Sequence, residues 1–378
     1  MKLYRVVAFA ALVTCSLEAL ALCQDNDGVR RAYFGDLHVH TRLSMDAYVF
    51  ENEVDPLDAY DAARGLEIDI APTETGMPPR RYPLGDGPLD FAAVTDHAEY
   101  LGEVNLCTAR VGDSPVFVSD QVGTQLIATG FRDAGEQLIS VCREFRTSNN
   151  VQVLLALASL CPDRLDADNQ LCAVLPAFRQ SAWATTLDAA QSAYEPCEFT
   201  TFAAYEYSGA EGEDGSEGSN HRNVLYRDIE SITDANAQPR FVPIDAIDAP
   251  TPSLLGRRVR AQCLGDPDDP DANGLPGCDV LAIPHTSNFS RGAMFQLGAN
   301  ESAADRREFE PVIEIVQYQY SSECAPYSHP DDPGCAFEPY PPKADETEAL
   351  VSPGFVRGGL NEGMRLAFEG GVVNPFVY

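Results

Sequence analysis

Basic residues are scarce in this chain. Lysine and arginine number 26 against 58 aspartates and glutamates, a formal net charge of −32 over 378 residues. A surface that acidic repels polyanions, and no run of Lys or Arg interrupts it, so nucleic acid and anionic membranes are not expected as partners. Long apolar stretches are missing after the first residues, so no later segment can span a bilayer. There is no Cys-x-x-Cys pair, which removes zinc knuckles, and no Gly-x-Ser-x-Gly elbow, which removes the usual serine-hydrolase signature. Histidine is also scarce: His38, His40, His97, His221, His285 and His329 are all there are.

The N-terminus reads as an address. Lys2 and Arg5 precede an apolar run from Val6 to Val13, and Ala19-Leu20-Ala21 offers small residues at cleavage-site spacing. Residues 1–21 are therefore predicted to be a secretory signal peptide, and the mature chain secreted or periplasmic. Leu22 stands where a lipoprotein needs a small residue, which disfavours lipidation at Cys23. Export agrees with the cysteines that remain. Cys161/Cys172, Cys263/Cys278 and Cys324/Cys335 bracket short Asp/Pro/Gly-rich loops and are predicted to form local disulfides.

The histidines fall where strands meet loops. His38 and His40 close the stretch Phe34-Gly35-Asp36-Leu37-His38-Val39-His40-Thr41. Side chains of a strand alternate, so Asp36, His38 and His40 are expected on one face and Leu37 and Val39 on the other. Three such polar groups on a buried face are costly unless something binds them, and imidazoles with carboxylates suit a divalent transition metal. The apolar run Leu89 to His97 ends in Asp96 and His97, Phe199 to Ser208 carries Glu206, His221 opens a run to Tyr226, and Asp279 to Asn288 holds His285. In α/β folds functional groups gather at the carboxyl ends of strands.

Elsewhere the chain reads as scaffold. Asp55 to Gly65 is predicted to be a helix, with Asp55 as N-cap and Pro56 in its first position. Residues 71–88 read as a surface loop, 100–198 as a mainly helical insertion, 209–219 as a solvated loop, 312–318 as a strand and 356–369 as a helix. The Asp/Pro/Gly segment 264–277 lacks the ligand spacing of an EF-hand and reads as a turn. His329, in a Pro/Asp loop between cysteines, reads as an ordinary surface residue.

Taken in order, Asp36-Leu37-His38-Val39-His40, Thr95-Asp96-His97, Tyr205-Glu206-Tyr207, His221-Arg222-Asn223 and Ile283-Pro284-His285 resemble the polymerase and histidinol phosphatase (PHP) superfamily of metallohydrolases. Within it the likeness is to the branch known as domain of unknown function 3604, through Tyr33 to Thr41, Ala93 to Tyr100, and Trp183 with Phe199 to Phe202; it covers roughly residues 31–378. The resemblance implies an α/β fold, a distorted (β/α)7 barrel with the helical insertion inside it. It also implies two or three divalent metal ions (Zn, Mn or Fe) at the carboxyl ends of the strands. The implied ligands are His38, His40, Asp46, His97, Glu206 as the bridging carboxylate, His221 and His285. Asp36, Asp96, Asn288 and Arg222 are implied to orient imidazoles or to contact substrate.

The superfamily closes its site with an Asp-x-His near the end of the barrel, and none occurs between 286 and 378. The chain is accordingly read as cut short before the last strand, lacking one ligating carboxylate and one histidine. The implied activity is metal-assisted hydrolysis of a small-molecule ester, foremost a phosphate ester, with Glu206 between two metals and His97 or His285 protonating the leaving group. The alternative is a non-catalytic secreted scaffold or binding protein of PHP type with an incomplete metal site.

Overall fold

The computed structural model of the chain describes residues 30–50, 52–70, 80–82, 87–112, 114–148, 152–164, 166, 168–265, 273–325, 331–339 and 354–376. The expected signal peptide, Cys23 and His329 lie outside the described residues.

In chain order the elements are β1 (Gly35–Val39), α1 (Met45–Val49), α2 (Pro56–Ala63), β2 (Ile68–Ile70), β3 (Arg80–Tyr82) and β4 (Phe91–Val94). Five helices follow: α3 (Leu101–Thr108), α4 (Val118–Ala128), α5 (Arg132–Thr147), α6 (Val153–Ala158) and α7 (Gln170–Ala193). Then come β5 (Thr200–Thr201), β6 (Ala203–Glu211), β7 (Glu217–Tyr226), α8 (Ile229–Ile232), α9 (Pro252–Leu264) and β8 (Val280–Pro284). The last are α10 (Ala303–Phe309), β9 (Val316–Gln317), β10 (Tyr320–Ser321) and α11 (Val356–Gly370).

Among the described residues the strands form four small sheets and no closed barrel. Two of them carry the site. β1, β4 and β5 lie parallel, whereas β6, β7 and β8 are antiparallel neighbours rather than the parallel strands of a regular β/α barrel. The two sheets meet where His97 bridges Glu206 in parallel, with Glu206 N–H donating to the Asp96 carbonyl at 3.0 Å and Ala98 N–H to the Glu206 carbonyl at 2.8 Å.

Strand alternation sorts the core. Ala92, Val94, Ala203, Tyr205, Val224, Tyr226 and Ala282 pack with α2, α7 and α9 in the main apolar cluster. Their neighbours Ala93, Ala204, Leu225 and Ile283 face the other way and form a small second cluster with Leu37. The face of that second cluster also holds Glu206, His221 and His285, each an even number of residues from an apolar member of its own strand. The site is thus the polar end of an apolar floor.

Several expectations needed correction. The expected loop 209–219 is mostly strand, because β6 runs to Glu211 and β7 starts at Glu217, leaving a short turn with Gly215 at φ +78. Within 71–88, residues 80–82 form β3, paired with β2. Of the strand expected at 312–318 only Val316–Gln317 forms a ladder; before it the backbone makes single bonds, Glu314 N–H to the Pro284 carbonyl and the Ile315 carbonyl to Ser322 N–H. α2 forms as expected after Asp55, yet the Asp55 carboxylate binds Arg42 instead of capping the helix. α7 starts at Gln170, where Asn169 accepts from the Leu171 and Cys172 N–H groups.

The expected pairs Cys161–Cys172, Cys263–Cys278 and Cys324–Cys335 are bonded, and among the described residues Cys107–Cys142 adds a fourth bridge that ties α3 to α5. Its loop of 35 residues is the longest of the four. Replacing both Cys107 and Cys142 by Ser is expected to lower the unfolding free energy by about 4 kcal/mol in a urea titration. A loss below about 1 kcal/mol would mean that packing of α3 on α5 suffices without the bridge.

Candidate metal centre

Four segments bring five histidines to one carboxylate. β1 and the residue just after it contribute His38 and His40, the end of β4 contributes His97, β7 His221 and the end of β8 His285. Glu206, on β6 and 1% exposed, stands in the middle. Adjacent imidazole centroids lie 5.2 Å (His38–His40), 4.8 Å (His40–His97), 5.7 Å (His97–His221), 6.0 Å (His221–His285) and 4.1 Å (His285–His38) apart, so the rings form a complete circle. Glu206 Oε1 meets His221 Nδ1 at 2.7 Å and His285 Nε2 at 3.0 Å. Glu206 Oε2 lies 2.7 Å from His40 Nε2 and 3.6 Å from both His38 Nε2 and His97 Nδ1.

Two more carboxylates flank the circle. Asp46, at the start of α1, lies 3.0 Å from His40 Nδ1 and 3.6 Å from His97 Nε2. Glu314, just after the chain leaves β8 and α10, lies 2.8 Å from His38 Nδ1. Glu314 was not among the residues picked from sequence. Its only signal was an acid inside the apolar run Val312-Ile313-Glu314-Ile315-Val316.

Other expected site residues are placed differently. Asp36 is exposed and accepts from the N–H of His38, because a register shift between Asp36 and Val39 breaks the alternation assumed for β1. Asp96 turns to the opposite face from His97, where it accepts from Thr41 N–H at 2.5 Å and from Thr41 Oγ1–H at 2.7 Å, fixing the turn after His40. Asn288 is buried and donates to the Gln319 carbonyl at 2.9 Å, without touching an imidazole. Arg222 is the clearest correction. As the neighbour of His221 in a strand it must point away from it. It is fully buried against Glu310, with Nε to Oε1 at 2.5 Å, and Arg306 lies 3.6 Å from the other Glu310 oxygen.

Burial alone would raise the Glu206 carboxyl, but the imidazoles, His97 and His285 first, overturn this and hold it well below the usual range. Burial opposes protonation of His38, yet Glu206 and Glu314 push it up to about 9. Asp46 and Glu206 likewise raise His40 well above its ordinary value. His285 behaves oppositely: burial wins over Glu206 and brings it down to about 3, so its imidazole is neutral. Burial also raises Asp96.

The donor set fits a metal ion on two counts. First, ligand atoms around a tetrahedral ion sit roughly 3.4 Å apart. Among the described residues four trios, His38/His40/Glu206, His38/His285/Glu314, His40/Asp46/His97 and His97/Glu206/His221, hold ligand atoms within 4.8 Å of one another. Second, the buried atoms His40 Nε2, Glu206 Oε2 and His285 Nδ1 have no hydrogen bond of acceptable geometry. A buried polar atom left without a partner is costly in a protein interior, and at Glu206 Oε2 and His285 Nδ1, which carry free lone pairs, a cation removes that cost. Around the circle the Ser208 hydroxyl is bonded to His97 Nδ1, and the Glu99 carboxylate accepts from the Ser208 N–H at 3.0 Å, so one imidazole is steadied from behind.

A family model described as a protein of unknown function (DUF3604) matches residues 27–378. The chain belongs to the DUF3604 family. No curated protein and no solved structure matches it. In this DUF3604 chain, therefore, the case for a metal centre stands on the geometry of its own histidines and carboxylates.

Two substitutions separate the two faces of β7 and β6. Arg222→Met is expected to lower stability by about 3–5 kcal/mol in chemical unfolding, since it strands Glu310, while leaving metal uptake by the folded protein unchanged. Glu206→Gln is expected to weaken metal binding at least about tenfold in calorimetric titration with Zn²⁺ or Mn²⁺. Equal metal affinity in the two variants would contradict the placement of the site.

Proposed function

We propose that this DUF3604 protein is a secreted, metal-dependent hydrolase of the PHP kind, acting on a small-molecule phosphate ester. The observation that carries the reading is the closed circle of five imidazoles around buried Glu206, with ligand atoms left unpartnered. A protein with no use for a cation gains nothing by burying such a group. The sheets are read as parts of a distorted β/α barrel. Parallel β1 and β4 support this, as does Asn223 Nδ2, which reaches from β7 across to the Leu37 carbonyl at 2.9 Å.

Among the described residues four disulfides fit an extracellular protein, and no helix is long and apolar enough to cross a membrane. Secretion by way of the N-terminal signal is part of the proposal.

Glu206 touches members of the His38/His40 and the His97/His221 trios, so it is the residue that would be shared between two cations; the His38/His285/Glu314 trio offers room for a third. When bound, such cations supply Lewis acidity for the attack of water on an ester. The mixed imidazole and carboxylate donors favour Zn²⁺, Mn²⁺ or Fe²⁺ over Ca²⁺. Asp46 and Glu314 hold His40 and His38 through Nδ1, which directs Nε2 of each ring toward Glu206. Of the two buried candidates, His97 is the one that can hand a proton to the leaving oxygen when it is left free of a cation, because Glu206 and Asp46 outweigh its burial and raise it, whereas neutral His285 is suited to ligation. The acidic surface would repel a phosphate approaching a bare site, but a centre that gathers cations inverts the local potential.

The protein purified with metal is expected to hydrolyse p-nitrophenyl phosphate, to lose that activity to a chelator, and to regain it with Zn²⁺, Mn²⁺ or Fe²⁺. Glu206→Gln is expected to lower kcat by about 10²–10³-fold. Absence of bound metal together with chelator-insensitive folding would put a non-catalytic scaffold in the place of the enzyme.

A further inference from the structure

A short hairpin follows Glu314 and is hydrogen-bonded to the segment that carries His285. Its strands β9 and β10 pair Gln317 with Tyr320 and Val316 with Ser321, which leaves Tyr318 and Gln319 as the two turn residues. The hairpin is tied to the site loop from both sides. Gln317 Nε2 donates to the carbonyl of His285 at 2.9 Å, and Asn288 Nδ2 donates to the carbonyl of Gln319 at 2.9 Å. Ser322 N–H closes its base on the Ile315 carbonyl at 2.7 Å, one residue from Glu314. Tyr320 adopts φ +76, a left-handed backbone that a tyrosine takes only at a cost. The turn is therefore held in one shape by the same segment that supplies Glu314 and His285.

Tyr318 is 78% exposed, the most exposed tyrosine among the described residues, yet it is close enough to the site for Asp46 and Glu206 to act on its phenol. Partial burial first, then these two carboxylates, push the phenol up, which keeps its proton in place at neutral pH. Gln319 Nε2 donates to the Tyr318 oxygen at 2.7 Å. The neighbouring amide thus fills an acceptor position and leaves the O–H to donate elsewhere. Among the described residues no lysine or arginine hydrogen-bonds or ion-pairs with the five imidazoles, Asp46 or Glu314.

We propose that Tyr318 is the side chain that donates a hydrogen bond to a non-bridging oxygen of the phosphoryl group at the mouth of the site. The proposal rests on the reading of the centre as a phosphoester hydrolase and names the residue that would recognise the substrate. A neutral phenol suits a site whose positive charge comes from cations, because it adds a donor to a tetrahedral oxyanion without competing for the carboxylates.

The test compares wild type with Tyr318→Phe, a change that removes one hydroxyl from an exposed side chain and leaves the fold intact. Inorganic phosphate is titrated calorimetrically into the metal-loaded full chain, metal content is measured, and hydrolysis of p-nitrophenyl phosphate is followed. Phosphate binding and kcat/KM are each expected to fall about tenfold to a hundredfold, with metal content unchanged. A variant that binds phosphate and turns over like wild type overturns the role of Tyr318 and leaves the hydrolase reading standing. Weaker phosphate binding by the variant, where wild type binds phosphate but hydrolyses no ester, upholds the donor and removes the hydrolase. Loss of bound metal in Tyr318→Phe, or a wild type that binds no phosphate, overturns the proposal.

Discussion

Placing Glu206 in the interior is the constraint to which the rest of the fold answers. A lone buried carboxylate is penalised by several kcal/mol, so the chain must surround it with groups that compensate. The compensation arrives from four stretches far apart in sequence, the first supplying both His38 and His40. A slip of one residue in β6, β7 or β8 would turn its contribution to the opposite face and leave the carboxylate bare. The β6–β7 register, with Glu206 opposite Asn223 and Ser208 opposite His221, and the β7–β8 register, with Asn223 opposite Ile283, are thereby specified strongly.

The helical segment contributes by bracing. Arg164 and Arg179 both reach Asp245, at 2.7 and 3.3 Å, and Arg179 also binds Asp248 at 3.1 Å, so two residues of the segment grip the loop at 245–248. Glu99 accepts from Ala246 N–H at 2.8 Å and from Ser208 N–H, carrying that grip to the strand that bears Glu206. Breaking one partner of such a buried pair is more damaging than never having had it, because the survivor keeps its charge without compensation. The same logic on the other face of β7 locks Arg222 to Glu310 and thence to Arg306.

Much of the centre was legible in the sequence because histidine is so rare here. His38, His40, His97, His221 and His285 each sit where an apolar run starts or stops, and all five meet. What stayed hidden follows from physics that spacing does not encode. Glu314 comes from an irregular segment, so no periodicity marks it. Arg222 shares a motif with His221 but the strand period sends it to the other face. Asp36 was assigned by perfect alternation, which a local shift in β1 breaks. The Cys107–Cys142 bridge joins two helices over a long loop, whereas the three short-range bridges announce themselves by the turn residues between their cysteines. The sheet arrangement was the least legible, because a run of apolar residues reads alike in parallel and antiparallel company.

The short-range disulfides have a bearing on durability outside the cell. Cys263–Cys278 spans 15 residues, and Cys161–Cys172 and Cys324–Cys335 span 11 each. A protease that severs any peptide bond inside one of these spans produces two new chain ends that remain covalently fastened to each other. Nicks there would release no fragment, and α9 and β8, on either side of the largest of the three, would stay joined after the cut.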